Sequence, residues 1–255
     1  MLYEFPKYYE VLFSFRDIPA EVLFLRQCLE TYSKVPVSSI LEIACGAAPH
    51  AGALMEHGYD YTGLDINRTM LRQARSCWSH SKPRPHLVEA DMVRFNLQRE
   101  FDFVFVMLGS LYLKSSAQMA AHFDSVAAHL RPGGLYFLDM CVEFTDPREM
   151  LGQPPVSRTC RDIEVCSRFE VELIDAADNV YEERWTVDIN DAGNEFQLQM
   201  VERNKAIFPA EFLNFIDHRQ DFEFVGWWAD WDLSQPITPD SEAGRPVAII
   251  RRLPT

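Results

Sequence analysis

The chain has 255 residues, 47% of them apolar, which suits one globular domain or one domain carrying an insertion. Acids outnumber basic residues by 38 to 24, a formal net charge of -14, and no basic stripe offsets them, so neither nucleic acid nor an anionic membrane is an expected partner. No apolar run reaches about 18 residues and no basic region precedes an apolar N-terminal one, so neither a membrane span nor secretion is expected.

Met1 to Ile18 is rich in aromatic residues (Tyr3, Phe5, Tyr8, Tyr9, Phe13, Phe15) and shows no sustained helical or strand period. It reads either as an arm packed on the surface or as a lid whose Tyr8–Tyr9 region closes over a ligand. From Ala20 to Ser33, Val22, Leu25, Leu29 and Tyr32 recur at helical spacing, and Pro36 stops the pattern.

The stretch from Val37 to Asp65 organises the rest. Ile40–Ala44 is a short apolar run of the kind that forms a strand buried on both faces. Cys45-Gly46-Ala47-Ala48 are small residues that permit a tight turn and close approach of a ligand to the backbone. Ala51, Leu54 and Met55 begin a helix, and a second strand from Tyr59 to Leu64 ends in Asp65. Strand, small-residue turn, helix, strand and acid make a βαβ unit with a nucleoside site at the carboxyl ends of its strands. A dinucleotide needs a glycine where Ala48 stands, so that backbone can approach pyrophosphate. S-adenosylmethionine has no phosphate and tolerates a methyl there, yet still needs an acid such as Asp65 to accept its ribose hydroxyls.

This stretch resembles motif I of the class I S-adenosylmethionine-dependent methyltransferases. Glu42, Ala44, Gly46 and Ala48 stand at the E/D-x-G-x-G-x-G positions, two glycines being replaced by alanine. The resemblance implies S-adenosylmethionine as cofactor, held by Glu42, Ala44, Gly46, Asp65 and the adjoining Ile66.

Asn67 can cap a helix in which Met70, Leu71, Ala74, Cys77 and Trp78 share a face, and Pro83 and Pro85 break it. His86–Glu89 reads as a third strand ending near Asp91-Met92, where the family binds the adenine amino group with an acid and covers the ring with an apolar neighbour. Phe101–Leu108 is the most apolar strand; it contributes Met107 to the implied cofactor site and opens into Gly109-Ser110-Leu111-Tyr112-Leu113. Met119, Phe123, Val126, Ala127 and Leu130 mark a helix, which Arg131-Pro132-Gly133-Gly134 should end with a left-handed glycine stop. A fifth strand follows from Gly134 to Cys141, and the Leu-Arg-Pro-Gly-Gly run before it is a second resemblance to the methyltransferases.

A proline-rich loop from Asp146 to Pro155 precedes two or three alternating segments, 163–174, 180–189 and 196–208, with a turn at Asp191-Ala192-Gly193-Asn194. In the second, Tyr181, Glu183, Trp185, Val187 and Ile189 share one face. This antiparallel meander lies where many small-molecule methyltransferases build a substrate pocket or a homodimer surface, and the arrangement is similar to sugar-amine and glycine-type N-methyltransferases. Pro209 starts a last helix through Phe212, Phe215 and Ile216. Strands are expected at Asp221–Val225 and Val247–Arg251, with Trp227, Trp228, Trp231, Pro236 and Pro239 in a loop between them that covers the sheet end or walls the substrate site.

The expected fold is therefore α/β: a doubly wound, Rossmann-like sheet of seven strands, the last antiparallel, with an inserted β meander. Residues 1–36 form the N-terminal lid and helix, 37–145 and 209–255 the cofactor core, and 146–208 the insertion. Cys28, Cys45, Cys77, Cys141, Cys160 and Cys166 show no metal or disulfide spacing, so buried free thiols in a reducing cytoplasm are expected. His50, His57, His80, His86, His122, His129 and His218 are scattered and read as structural or surface residues. Methyl transfer from a sulfonium needs alignment and exclusion of water more than an acid or base, so no metal and no particular catalytic side chain is expected. Tyr9, Tyr112 and Trp185 are the candidates for the substrate site. The expected activity is methylation of a small molecule at an amine nitrogen; a non-catalytic S-adenosylmethionine-binding protein and an NAD-binding oxidoreductase are the alternatives.

Overall fold

The computed structural model describes residues 1–79, 82–238, 241 and 244–254; His80 and Pro239, named above, lie outside them. After a 3-10 turn at Leu2–Glu4 come α1 (Pro6–Leu12), α2 (Ile18–Tyr32) and β1 (Ser39–Ile43). The next elements are α3 (Ala51–Glu56), β2 (Asp60–Asp65), α4 (Arg68–Cys77), β3 (His86–Glu89) and β4 (Phe101–Val106). Then follow α5 (Ser116–His129) and β5 (Leu130–Asp139), and four strands: β6 (Val156–Cys160), β7 (Ile163–Asp175), β8 (Val180–Asp191) and β9 (Asn194–Lys205). The chain finishes with α6 (Pro209–His218), β10 (Phe222–Trp228) and β11 (Val247–Arg252).

Seven strands form one sheet in the order β10-β11-β5-β4-β1-β2-β3, in which β11 runs antiparallel to both its neighbours. Both faces are covered, which is why its strands read as apolar runs. Ile40, Phe103, Phe105, Phe137 and Ile249 meet Val22, Leu25 and Leu29 of α2, Leu54 of α3 and Leu71 of α4. Their alternating neighbours Leu41, Ile43, Val104, Val106, Leu138 and Ile250 meet Phe123 and Val126 of α5 and Phe212 and Ile216 of α6. Each fully buried Phe or Ile here contributes about 1.5–3 kcal/mol relative to exposure. The chain runs outward from β1 to β3 and then returns to β4 on the other side of β1, so the strand order reverses at the carboxyl ends of β1 and β4. A ligand crevice opens at such a reversal.

The insertion is a separate antiparallel sheet, β6-β7-β8-β9. Several expectations are corrected. The insertion has four strands, because β6 is a largely exposed edge strand with no apolar alternation to announce it. The N-terminal segment is regular: α1 buries Tyr8, Val11 and Leu12 against Val165, Val187 and Ile189 of the insertion. Tyr8 faces that sheet and donates its hydroxyl to Asp191 (2.8 Å). The Leu-Arg-Pro-Gly-Gly run opens β5 instead of stopping α5, since Leu130 is already extended. Gly133 alone is left-handed, at φ +89°, where a Cβ would lie 2.8 Å from Val35. Trp227 and Trp228 belong to β10, and Trp231 packs on Phe24 and Phe137 of the core. All six cysteines are free, but only Cys28, Cys45 and Cys141 are buried; Cys77 and Cys160 are exposed.

Candidate cofactor and substrate site

The turn after β1 holds three residues in the left-handed region: Ala44, Gly46 and Ala48, each at φ 54°. These are the three glycine positions of the motif. The two alanines keep the backbone shape at a cost of about 1 kcal/mol or more each. The turn is tied down by Cys45 N to Leu64 O (3.0 Å) and Ala48 N to Cys45 O (2.8 Å). Gly63 of β2 makes room for it, because a Cβ there would lie 2.7 Å from the Cys45 sulfur.

Asp65 ends β2 beside this turn. Its Oδ2 accepts the Gly46 N–H (2.7 Å) and its Oδ1 the Asn67 N–H (2.7 Å). Burial pushes its carboxyl pKa up, the two amides pull it back, and Glu42 adds to the rise. Each oxygen keeps a lone pair for a further donor. Ile66 beside it is 65% exposed. Asn67 caps α4 by accepting from Thr69 N and Met70 N, which fixes the approach of α4 to Asp65.

At the end of β3, Asp91 is exposed and its Oδ1 accepts from Val93 N (2.8 Å). Met92 is half-buried against the α5 side of the core, and its carbonyl accepts from His122 Nδ1 (2.8 Å). Burial lowers the His122 pKa to about 4, so the neutral ring donates there and accepts the Tyr136 hydroxyl at Nε2 (2.8 Å). The Met107 side chain is buried on the α2 side of the core, leaving only its backbone at the end of β4.

Glu42 behaves differently from its neighbours in the motif. It is buried and engaged within the protein: Tyr61 donates to Oε2 (2.5 Å) and His50 Nδ1 lies 2.7 Å from Oε1. His50 Nε2 is 2.9 Å from Glu21 Oε2, which Arg16 also reaches at 2.5 Å. Arg245 links Glu21 (3.4 Å) to Asp139 (2.7 Å), and Asp139 accepts from Trp231 Nε1 and Leu108 N. Burial opposes a charge on His50, but Glu42 and then the hydrogen bonds to Glu21 and Glu42 outweigh it and raise its pKa. The motif turn, α2 and the end of β5 thus share one buried ionic chain.

The insertion roofs the ends of β4 and β5. Lys205 N donates to Leu113 O (2.6 Å), Leu113 N to Asn204 Oδ1 (3.3 Å), and Glu143 N to Ile207 O (2.9 Å). Under this roof the Tyr112 hydroxyl donates to Glu183 Oε2 (3.0 Å). Trp185, next on the same face of β8, packs edge-on to Phe169, and its Nε1–H is enclosed without an acceptor at hydrogen-bond geometry among the described residues. Tyr9 stacks on Phe13 and lies against Tyr3. Burial raises the Tyr9 pKa to about 12, with Arg16 opposing and Asp65 and Glu42 adding to it, so its phenol shares the neighbourhood of the motif turn. Gly46 and Asp65 are therefore joined directly, while Tyr112 meets Trp185's strand through Glu183. Glu143, Glu183 and Glu202 were absent from the residues expected at the site; the shared face of β8 was the signal for Glu183.

Residues 40–134 match a family described as Methyltransferase domain. Over 109 residues the chain is 35% identical to a dTDP-3-amino-3,4,6-trideoxy-alpha-D-glucopyranose N,N-dimethyltransferase of Streptomyces venezuelae. That alignment takes in 42% of this chain and 44% of the relative, so the chain spans under half the length of this curated protein. Among solved structures, it is similar to an S-adenosylmethionine-dependent methyltransferase of Clostridium acetobutylicum ATCC 824 (TM-score 0.78, 16% identity, 97% of this chain and 96% of that one). It is likewise similar to the sugar N-methyltransferase KedS8 of Streptoalloteichus sp ATCC 53650 (TM-score 0.71, 20% identity, 94% and 89%). Residues 40–134 thus match a methyltransferase domain, and the sheet order above is that of the fold shared with these solved structures.

Proposed function

We propose that the protein transfers a methyl group from S-adenosylmethionine to an amine nitrogen of a small molecule. The observation that carries this reading is Asp65: a half-buried carboxylate fixed by Gly46 and Asn67, with lone pairs left over, beside a turn that presents backbone. The donor set suits this cofactor. Asp65 takes the ribose hydroxyls, the exposed Ile66 and Met92 cover apolar ring surface, and Asp91 accepts the adenine amino group. Ala48 carries a buried Cβ where a pyrophosphate would demand glycine. In this reading residues 37–145 and 209–255 are the cofactor core, and 146–208 supply the substrate roof.

When bound, S-adenosylmethionine supplies an electrophilic methyl on a sulfonium. The chain's part is to hold the amine in line with it and keep water out, a role suited to Tyr9, Tyr112 and Trp185 between the strand ends and the roof. Amine nitrogen as the acceptor is supported by the amino-sugar substrate in the printed name of the relative from Streptomyces venezuelae. Titration calorimetry tests the cofactor: S-adenosylmethionine should bind saturably and NAD should not. Asp65→Ala should weaken binding by about 2–4 kcal/mol, the worth of two hydrogen bonds to a charged acceptor. NAD binding without S-adenosylmethionine binding would overturn the reading.

A further inference from the structure

Glu183 on β8 and Glu202 on β9 are directly opposite in the strand register and share a face. Like charges so placed destabilise a sheet, and no lysine or arginine among the described residues pairs with either. Among the described residues, Glu183 accepts from the Tyr112 hydroxyl (3.0 Å) and Asn204 Nδ2 (3.4 Å). Glu143, just past β5, brings a third carboxylate that makes no hydrogen bond or ion pair among the described residues; burial and then Glu183 push its pKa up to about 7. The cations of the insertion nearest in sequence are engaged elsewhere: Arg184 and Arg203 with Glu182, Arg168 with Asp188, Lys205 with Asp178 and Glu211.

Independent features point to a ligand at the same place. The Trp185 Nε1–H is enclosed without an acceptor at hydrogen-bond geometry among the described residues, although its nearness helps to hold Glu183 charged. Tyr3 is half-buried and its phenol makes no hydrogen bond among the described residues; burial raises its pKa, followed by Tyr9, Glu202, Asp65 and Glu183. Glu183 and Glu202, the Tyr112 hydroxyl and the Trp185 indole thus meet on one face of β8. No group of three or more His, Cys, Asp or Glu among the described residues is placed to hold a metal ion. Aromatic faces beside unpaired carboxylates suit an organic ammonium, whose charge the acids offset and whose N–H and C–H groups the rings accept.

Resting on the methyltransferase reading, we propose that Glu183, flanked by Glu143 and Glu202 and walled by Tyr112 and Trp185, binds the substrate's amine as an ammonium cation. The ammonium then gives one proton to the Glu183 carboxylate. The electrons of that N–H bond become the lone pair that forms the new N–C bond, and the electrons of the C–S bond leave with sulfur, which becomes a neutral thioether.

The full chain is titrated calorimetrically, with and without S-adenosylhomocysteine, using 3-amino-3-deoxyglucose against glucose and benzylamine against benzyl alcohol. At least one amine should bind about tenfold or more tightly than its alcohol, and its affinity should fall as pH drops through about 7, where Glu143 takes up its proton. E183Q should weaken amine binding about tenfold or more, leave S-adenosylhomocysteine affinity unchanged, and raise the melting temperature by relieving the repulsion from Glu202. E202Q should raise the melting temperature as well, with a smaller loss of amine affinity. Amines that bind no better than their alcohols, or an E183Q chain with wild-type amine affinity or a lowered melting temperature, would overturn the subsite. Failure of S-adenosylhomocysteine to bind the wild-type chain would count against the methyltransferase reading instead, and the amine titrations made without it still decide the subsite.

Discussion

His50 is fully buried with a carboxylate at each ring nitrogen, Glu42 at 2.7 Å and Glu21 at 2.9 Å. Removing it leaves two buried acids short of a partner, so His50→Ala should cost about 3–5 kcal/mol in a denaturant titration. The sign with pH is fixed by the directions of the shifts. The His50 pKa is raised above 6.5, so its contribution is complete below that value and is lost as pH rises through the folded value. Glu21 opposes burial through His50 and Arg16 and is lowered from 4.5 to about 2, so its share is present above 4.5 and lost as pH falls toward 2. The deficit of His50→Ala should therefore narrow on the alkaline side; a deficit that grows there would contradict this assignment. Little of this was legible in the sequence. Glu42 read as a cofactor-binding acid from its motif position, but its partners come from α2, β2 and the start of α3, and no local pattern joins Glu21, Glu42, His50 and Tyr61. Asp65 was legible because strand end and function coincide within one βαβ unit.

Among the elements, α1 is the least self-sufficient. Its seven residues are too few for an isolated helix in water, so its order comes from its contacts. It packs on the insertion through Tyr8 and Val11, while Glu4, just before it, accepts from Asn67 (3.0 Å) and Thr69 (2.7 Å) at the start of α4. The segment thus bridges the insertion and the start of α4. A lid built this way should gain protection when the site fills: hydrogen exchange over residues 1–18 should slow on adding S-adenosylhomocysteine, more than exchange in β7 and β8. Equal protection with and without ligand would make it a fixed arm and remove Tyr9 from the substrate site. The sequence hid α1 because its apolar stripe is aromatic and only two turns long. It hid β6 for another reason: both faces of that edge strand are largely exposed, so alternation has nothing to record.

Across the whole molecule, the seven-stranded sheet was readable because strands covered on both faces become apolar runs, Phe101–Val106 above all. The site under the roof was not readable in the same way. Tyr112 and Glu183 meet across 71 positions, and Glu143 is held to Ile207 through a backbone bond that no spacing announces. What the arrangement does bring together is Gly46 with Asp65 at the ends of β1 and β2, and Tyr112 with Glu183 under the insertion. The most direct measurement of the central claim follows methyl-labelled S-adenosylmethionine incubated with the full chain and a metabolite extract. Label should pass into the small-molecule fraction, on compounds that carry an amine, and should fall to background with Asp65→Ala. Label found only in protein or nucleic acid, or no transfer at all despite saturable S-adenosylmethionine binding, would contradict the account.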